Sequence, residues 1–324
     1  MRAAICSAYG PPEIVRIEDL EPPRLRPGQV RIAVEAAAAN YPDVLLVAGE
    51  YQIRVPPPFT VGSEAAGRII EVGDGVGTVR VGDRVRHTGL VGAFAEELVV
   101  AANACTPVAE GVSSEVAAAA GVAQRTSYHA LRSVAGLRAG EEVVVLGAGG
   151  GVGLAAVQIA AILGARVTAV TSSAAKRAAV TSAGATTVID RGEADLRGAL
   201  RDALPDGADV VLDPVGGDLA EPALRALRPG GRFVTVGYAA GAIPRIPLNL
   251  VLLKGIAILG FEFLGFAARE PEALARGDAE LEAWLAAGTL VPVIGARFPL
   301  AETPAALRAL ADGAVPGKIV IDVV

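Results

Sequence analysis

The stretch Val143-Val144-Val145-Leu146-Gly147-Ala148-Gly149-Gly150-Gly151-Val152-Gly153 decides how the rest of the chain is read. An unbroken apolar run without polar alternation fits a strand buried on both faces, as in a parallel sheet. The glycines that follow permit a tight turn and clear most side chains from the space outside it. Residues 152–163 then form an apolar run of helical length. A buried strand, a glycine turn and a helix start form the setting in which such a motif holds a pyrophosphate. The first N–H groups of the helix lack intrahelical acceptors, and they carry the positive end of its dipole. Gly147 to Gly153 are therefore the candidate dinucleotide cradle.

Downstream the alternation repeats. Apolar runs at residues 166–170, 185–189, 208–212 and 231–236 are separated by helical stretches that include 174–183 and 219–227. This predicts βαβ units and a doubly wound parallel sheet in an α/β chain. The end of the second strand selects the dinucleotide, because an NAD site places an acid there for the ribose 2′-hydroxyl. Here the chain reads Val170-Thr171-Ser172-Ser173, followed by Lys176 and Arg177. Hydroxyls and a cation suit a 2′-phosphate, so NADPH is the expected cofactor. Lys176 leads as its clamp, ahead of Arg191 just past the third strand and then Arg177.

Upstream, runs at residues 30–34, 67–72, 81–86 and 95–100 are punctuated by Pro27-Gly28, Asp74-Gly75 and Gly82-Asp83, the pattern of a β-rich domain. Ser113-Ser114-Glu115 before an alanine run marks a helix start. Beyond Gly265 the alternation stops. A helix over residues 279–287 carries Trp284, read as a core anchor, and residues 318–324 form a last strand returning to the first domain. With 324 residues, 52% apolar and 20% charged, the chain has the material for two packed domains and is not disordered. The mean hydropathy of +0.47 comes mostly from Ala, Val and Gly. Its most apolar late stretch, residues 251–268, is interrupted by Lys254 and Glu262, and a spanning helix needs roughly 20 mostly apolar residues. No signal-peptide pattern opens the chain, so a cytoplasmic protein is expected. The net charge of −6 argues against nucleic acid as a partner. Cys6 and Cys105 form no close-spaced pair, which excludes a disulfide scaffold.

Asn40-Tyr41-Pro42-Asp43, Val61-Gly62-Ser63-Glu64-Ala65-Ala66-Gly67, Val81-Gly82-Asp83-Arg84-Val85, the glycine turn and Gly317-Lys318 follow one another along nearly the whole chain. In this order they resemble the medium-chain dehydrogenase/reductase superfamily, in its zinc-free quinone oxidoreductase (zeta-crystallin-like) branch. The resemblance implies a GroES-like, β-rich catalytic domain built from residues 1–115 and 266–324, with a Rossmann domain, residues 116–265, inserted between. It implies NADPH bound between the domains, with Asn40, Thr126, Phe261 and Phe263 at the nicotinamide. Val215, Gly237 and Tyr238 would lie on loops after strand ends, and Lys318 would reach the cofactor from the returning strand. It also implies a homodimer through the Rossmann sheet edge at residues 254–263, an alternating apolar run that would be an aggregation liability if left open. Two places depart from the branch: Gln124-Arg125, where relatives often carry a glycine and an apolar residue, and Arg191, where some carry a tyrosine.

Zinc-dependent members of the superfamily carry Gly-His-Glu where this chain has Gly62-Ser63-Glu64. Two cysteines and two histidines, His87 and His129, are too widely separated to supply a tetrahedral site readily. No metal is expected, and Glu64 reads as an ion-pair or hydrogen-bond partner. Without a Lewis acid to hold a developing alkoxide, an acceptor that delocalises the incoming electron pair is favoured. The expected activity is hydride transfer from NADPH to a quinone or another conjugated carbonyl. Asn40, Tyr41 and Tyr51 are the candidate catalytic residues, and Asp43 reads as structural. Two alternatives stay open. An enoyl or enone reductase, acting on thioesters if Arg54 and Arg125 form a cationic rim, needs the same hydride geometry. An NADPH-binding sensor or RNA-binding protein needs only the intact glycine turn.

Overall fold

The apolar run before the glycine turn becomes the strand Glu142–Val145 (β1), with Val143, Val144 and Val145 fully buried. The computed structural model describes residues 1–192 and 195–323. β1 is joined by Arg166–Thr171 (β2), Thr187–Asp190 (β3), Ala208–Asp213 (β4), Leu227–Thr235 (β5) and Ala257–Gly260 (β6). The six-stranded sheet has the order β3-β2-β1-β4-β5-β6, and every neighbouring pair is parallel. The order reverses between β1 and β4, and it is at the carboxyl ends flanking such a switch point that open α/β sheets take ligands. Helix Gly151–Ile162 (α1) follows β1 directly, and Ala174–Ser182 (α2) follows β2. Val144, Leu146, Leu200, Val211, Leu224 and Phe233 form the core on one side of this sheet.

The edge segment at residues 254–263 is not one strand. Lys254 closes the helix Leu248–Lys254, Gly255 breaks it in the left-handed region (φ 59), and only Ala257–Gly260 pairs. Phe263 opens the helix Phe263–Arg269, which Glu262 caps by accepting the Leu264 and Gly265 N–H groups at 2.8 and 2.6 Å. A capped helix start at Glu262 is why the alternation there does not extend the strand.

In the other unit the long strand Gln29–Ala39 pairs antiparallel with Glu64–Val72 and with Glu97–Ala101. The returning strand Lys318–Asp322 pairs antiparallel with residues Ala36 to Ala39 and parallel with Ile294–Pro299. Val324, the expected end of that strand, lies outside the described residues. The helix Ser114–Ala119, capped by the Ser113 hydroxyl accepting from the Val116 N–H, packs its alanines on Ala36, Ala38 and Ala66. It therefore belongs to this unit.

The two compact units are Met1–Val122 with Ile294–Val324, and Ala123–Val293. The boundaries read from sequence fall after residues 115 and 265, and both differ. The first shifts because of the alanine helix. The second shifts because the helices Phe263–Arg269 and Pro271–Ala286 pack on the Rossmann sheet's own unit: Phe266 lies 4.8 Å from the His129 ring and Trp284 lies 5.8 Å from Tyr128. Trp284 is half-buried, and Leu281 and Leu285 are the buried anchors of that helix. No helix among the described residues is long and apolar enough to cross a membrane.

Candidate functional site

The glycines of the turn are there for different reasons. Gly147 has φ +58, and a Cβ on it would sit 2.5 Å from Val215 Cγ2. A Cβ on Gly153 would lie 2.3 Å from the Gly147 carbonyl oxygen and 2.6 Å from Ala148 Cα, so this glycine lets α1 close against the turn. One on Gly149 would strike the Lys176 stem at 2.6 Å. Gly150 has φ −86 and ψ 178, which any residue adopts, and the nearest atom to its Cβ position is 3.5 Å away. Nothing in the fold calls for glycine at 150. The space a side chain would fill lies at the N-terminus of a 12-residue helix, beside Gly151 and Val152. That cradle fits a pyrophosphate, which needs close backbone approach to helix N–H groups.

Beyond β2 the residues expected around a 2′-phosphate gather. Thr171 is buried and its carbonyl accepts the Arg191 N–H at 2.6 Å. Ser172 and Ser173 are exposed, and Ser173 Oγ caps α2 by accepting the Lys176 N–H at 3.3 Å. Lys176 is half-buried over Gly149; burial first, and the Arg191 charge second, hold its ammonium pKa below the usual lysine value. Arg177 is tied to Asp190 at 3.0 Å. Arg191 also borders a cavity of about 300 Å³, with Val215, Gly216, Leu219 and Ala242 on its other sides.

Val215 follows the end of β4, and Gly237 and Tyr238 follow the end of β5. Sequence reasoning passed over the residue that shapes the first of these loops. Asp213 Oδ1 accepts the N–H groups of both Val215 and Gly216 at 2.8 Å. Burial raises its pKa, and its Oδ2 has no hydrogen-bond partner among the described residues. The signal was available: Asp213-Pro214-Val215-Gly216-Gly217 is an acid opening a turn directly after a strand. The Tyr238 ring stands against Gly216, where a Cβ would be 2.9 Å from it.

The residues expected beside a nicotinamide in this unit adjoin an aromatic cluster. Phe261 and Phe263 are 6.4 Å apart, Phe261 and Phe266 5.4 Å. Thr126 is half-buried on the helix Val122–Tyr128. The neighbouring Arg125 guanidinium lies 4.6 Å over the Phe263 ring and forks onto Asp278 at 2.7 and 2.8 Å. Its charge is compensated by that carboxylate. Tyr128 donates to Glu280, and burial and that carboxylate push the phenol up to about 12.

His129 is fully buried, with Nδ1 3.0 Å from Ser133 Oγ and no partner for Nε2 among the described residues. Burial lowers its pKa from 6.5 to about 4. A depressed histidine stabilises the fold only while neutral. Its contribution is complete above the unfolded value and is lost as pH falls from 6.5 toward 4. Between those limits the wild type should lose about 3 kcal/mol more stability than His129→Leu, read by urea unfolding at each pH. Parallel pH profiles for the two proteins would refute this.

In the first unit, five buried polar residues form one network: Asn40, Asp43, Ser63, Glu64 and Lys318. Asn40 is the residue before the helix Tyr41–Ala48, and Asp43 Oδ2 accepts its N–H at 2.7 Å. Asn40 Nδ2 donates to Glu64 Oε1 at 2.9 Å and to Ser63 Oγ at 3.1 Å. Burial raises the Asp43 pKa to about 7 against the lowering pull of its hydrogen bonds. Lys318 forms an ion pair with Glu64 at 2.8 Å and donates to Asn40 Oδ1 at 2.5 Å and to the Ala39 carbonyl at 2.9 Å. Lys318, expected to reach the cofactor, has its ammonium buried with acceptors for its three protons within the protein. Tyr41 and Tyr51 are half-buried, and Tyr51 packs on the core of this unit. Among the described residues no group of three or more His, Cys, Asp or Glu is placed to hold a metal ion.

Comparison with known proteins matches residues 26–110 to the alcohol dehydrogenase GroES-like domain and residues 151–278 to the zinc-binding dehydrogenase family. Quinone oxidoreductase-like protein 2 of Bos taurus is 34% identical over 99% of this chain and 92% of its own. A quinone oxidoreductase of Pseudomonas aeruginosa is 34% identical over 97% of both. Among solved structures, the Escherichia coli quinone oxidoreductase complexed with NADPH superposes with a TM-score of 0.91 at 27% identity, covering 100% of both chains.

Proposed function

The chain belongs to the quinone oxidoreductase branch of the medium-chain dehydrogenase/reductase superfamily, and we propose that it is an NADPH-dependent reductase of quinones or similarly conjugated carbonyls. The observation that carries this is Gly150: it has ordinary backbone angles and an open Cβ position at the helix N-terminus, so a bound phosphate gives the glycine its purpose. Gly147, Gly149 to Val152 and Gly153 hold the pyrophosphate. Lys176 and Arg191, with Ser172 and Ser173, take the 2′-phosphate. Thr126, Val215, Gly237, Tyr238, Phe261 and Phe263 line the nicotinamide half, and Asn40 is proposed to serve it. When bound, NADPH supplies the hydride; the protein orients the partners and excludes water. Tyr41 and Tyr51 are the polar candidates for orienting the carbonyl.

We read the reaction as independent of zinc. Ser63, where zinc-dependent relatives carry histidine, is engaged by Asn40, and a hydroxyl is a poor substitute for imidazole or thiolate. The half-buried Phe263 ring favours a flat, uncharged acceptor, and the Arg125–Asp278 fork supports this against an anionic thioester. Chelator-treated protein should oxidise NADPH in preference to NADH with simple quinones, at a rate unchanged by zinc. NADPH bound without turnover on quinones or enones would turn the reading toward a sensor.

The protein is also proposed to be a homodimer. β6 is an open sheet edge, and Leu248, Leu252 and Ile258 on or just before it are exposed. Apolar side chains clustered at an unpaired edge call for cover. Light scattering should give twice the chain mass of 32.7 kDa, and Leu252→Glu with Ile258→Lys should give one chain mass. A monomeric wild type would refute it.

A further inference from the structure

The buried network around Asn40 can be counted proton by proton. Lys318 has three N–H donors, and three acceptors meet them: the Ala39 carbonyl, Asn40 Oδ1 and Glu64 Oε1. The Asn40 amide has two protons, taken by Glu64 Oε1 at 2.9 Å and Ser63 Oγ at 3.1 Å; the Ala38 carbonyl, at 3.3 Å, lies beyond the ordinary range. The second Glu64 oxygen accepts the Val122 N–H at 2.7 Å, which stops the carboxylate from rotating. Turning the amide over would aim its NH₂ at the Lys318 ammonium and its oxygen at the Glu64 carboxylate, both repulsive. The orientation is thus set by a charge on each side. Asn40 Oδ1 keeps one lone pair beyond the one that meets the Lys318 ammonium among the described residues.

We propose that Glu64 and Lys318 are positioning residues that hold Asn40 as an acceptor-only group. It then receives a hydrogen bond from an N–H or O–H donor on the nicotinamide half of the cofactor, and it does not donate to the carbonyl being reduced. This rests on the reading that Asn40 serves the nicotinamide. Burial makes the arrangement strict, because each of the three residues is at least nine-tenths buried and none can turn to water for a substitute partner.

Two paired replacements test it, each preserving the buried charge balance. Glu64→Gln with Lys318→Met removes both charges and frees the amide to flip. It should lower kcat by about tenfold with the quinone KM held within about threefold, the mark of lost orientation and not of lost binding. Asn40→Asp with Glu64→Gln moves the carboxylate to position 40, still facing Lys318, and leaves that group with acceptors only. Asn40→Asp alone, with two buried carboxylates, should lose about tenfold or more in kcat, and the swap should restore about fivefold or more of that loss. If the swap loses as much as the single change, Asn40 is needed as a donor and the proposal is overturned. If the neutral pair keeps full kcat, the charges do not position Asn40 and it is overturned again. Should the wild type turn over no quinone or enone, the functional reading fails by itself. The inference is then decided by the fluorescence emission of bound NADPH, which the neutral pair should shift and the swap should leave at the wild-type maximum. Any other pattern refutes it.

Discussion

Gly150→Val abolishes NADPH binding, raising Kd by about 100-fold or more, and shifts the melting temperature by less than about 5 °C. The two halves of this result have separate causes. Gly150 has the extended angles φ −86 and ψ 178, and an added Cβ meets nothing nearer than 3.5 Å, so the backbone there tolerates a side chain. As the residue preceding α1 it contributes no side-chain cap, and the exchange costs about 1 kcal/mol at most. The added methyl groups occupy the space through which a phosphate must approach the helix N–H groups. Gly153→Val is the matched control. Its Cβ would lie 2.3 Å from a backbone oxygen, so that variant should lose folded protein and not the ligand alone. Calorimetric titration with NADPH and a thermal melt on both variants separate the cases. Normal binding by Gly150→Val would remove the glycine turn from the cofactor site.

The turn was legible because everything it needs is local: a strand, a left-handed glycine and a helix start within a dozen or so residues. The Rossmann strands were legible for a related reason, since burial on both faces writes an unbroken apolar run. The strand Gln29–Ala39 was visible only over residues 30–34. Its second half is Ala36-Ala37-Ala38-Ala39, which carries neither β-branching nor alternation. Ala36 and Ala38 pack against the alanines of Ser114–Ala119, small against small, while Ala37 and Ala39 face the main core of the unit. The helices after β6 carry no strand period to say which unit they join, and contacts such as Arg125 with Asp278, 153 residues apart, decide it. The same limit applies to Asn40. Its motif was plain, but Lys318, which fixes its amide, is 278 residues away. The resemblance placed Lys318 toward the cofactor, and the fold gives its ammonium partners inside the protein.

Lys176→Glu should weaken NADPH by about 100-fold, or about 3 kcal/mol, and change NADH by less than about threefold. The asymmetry follows from where the side chain lies. The Lys176 stem covers Gly149, and its ammonium feels the Arg191 charge. Arg177 does not share the task, because Asp190 holds it at 3.0 Å. Two cations kept near each other at a cost, with burial and Arg191 both depressing the Lys176 pKa, make a place that a doubly charged phosphate relieves. A carboxylate there repels that phosphate, while a ribose hydroxyl is indifferent to it or accepted by it. Arg191→Ala should act in the same direction by a smaller factor, since Lys176 remains and its ammonium gains in pKa. Equal losses for NADPH and NADH in Lys176→Glu would show that the lysine braces the turn through Gly149 and does not read the phosphate.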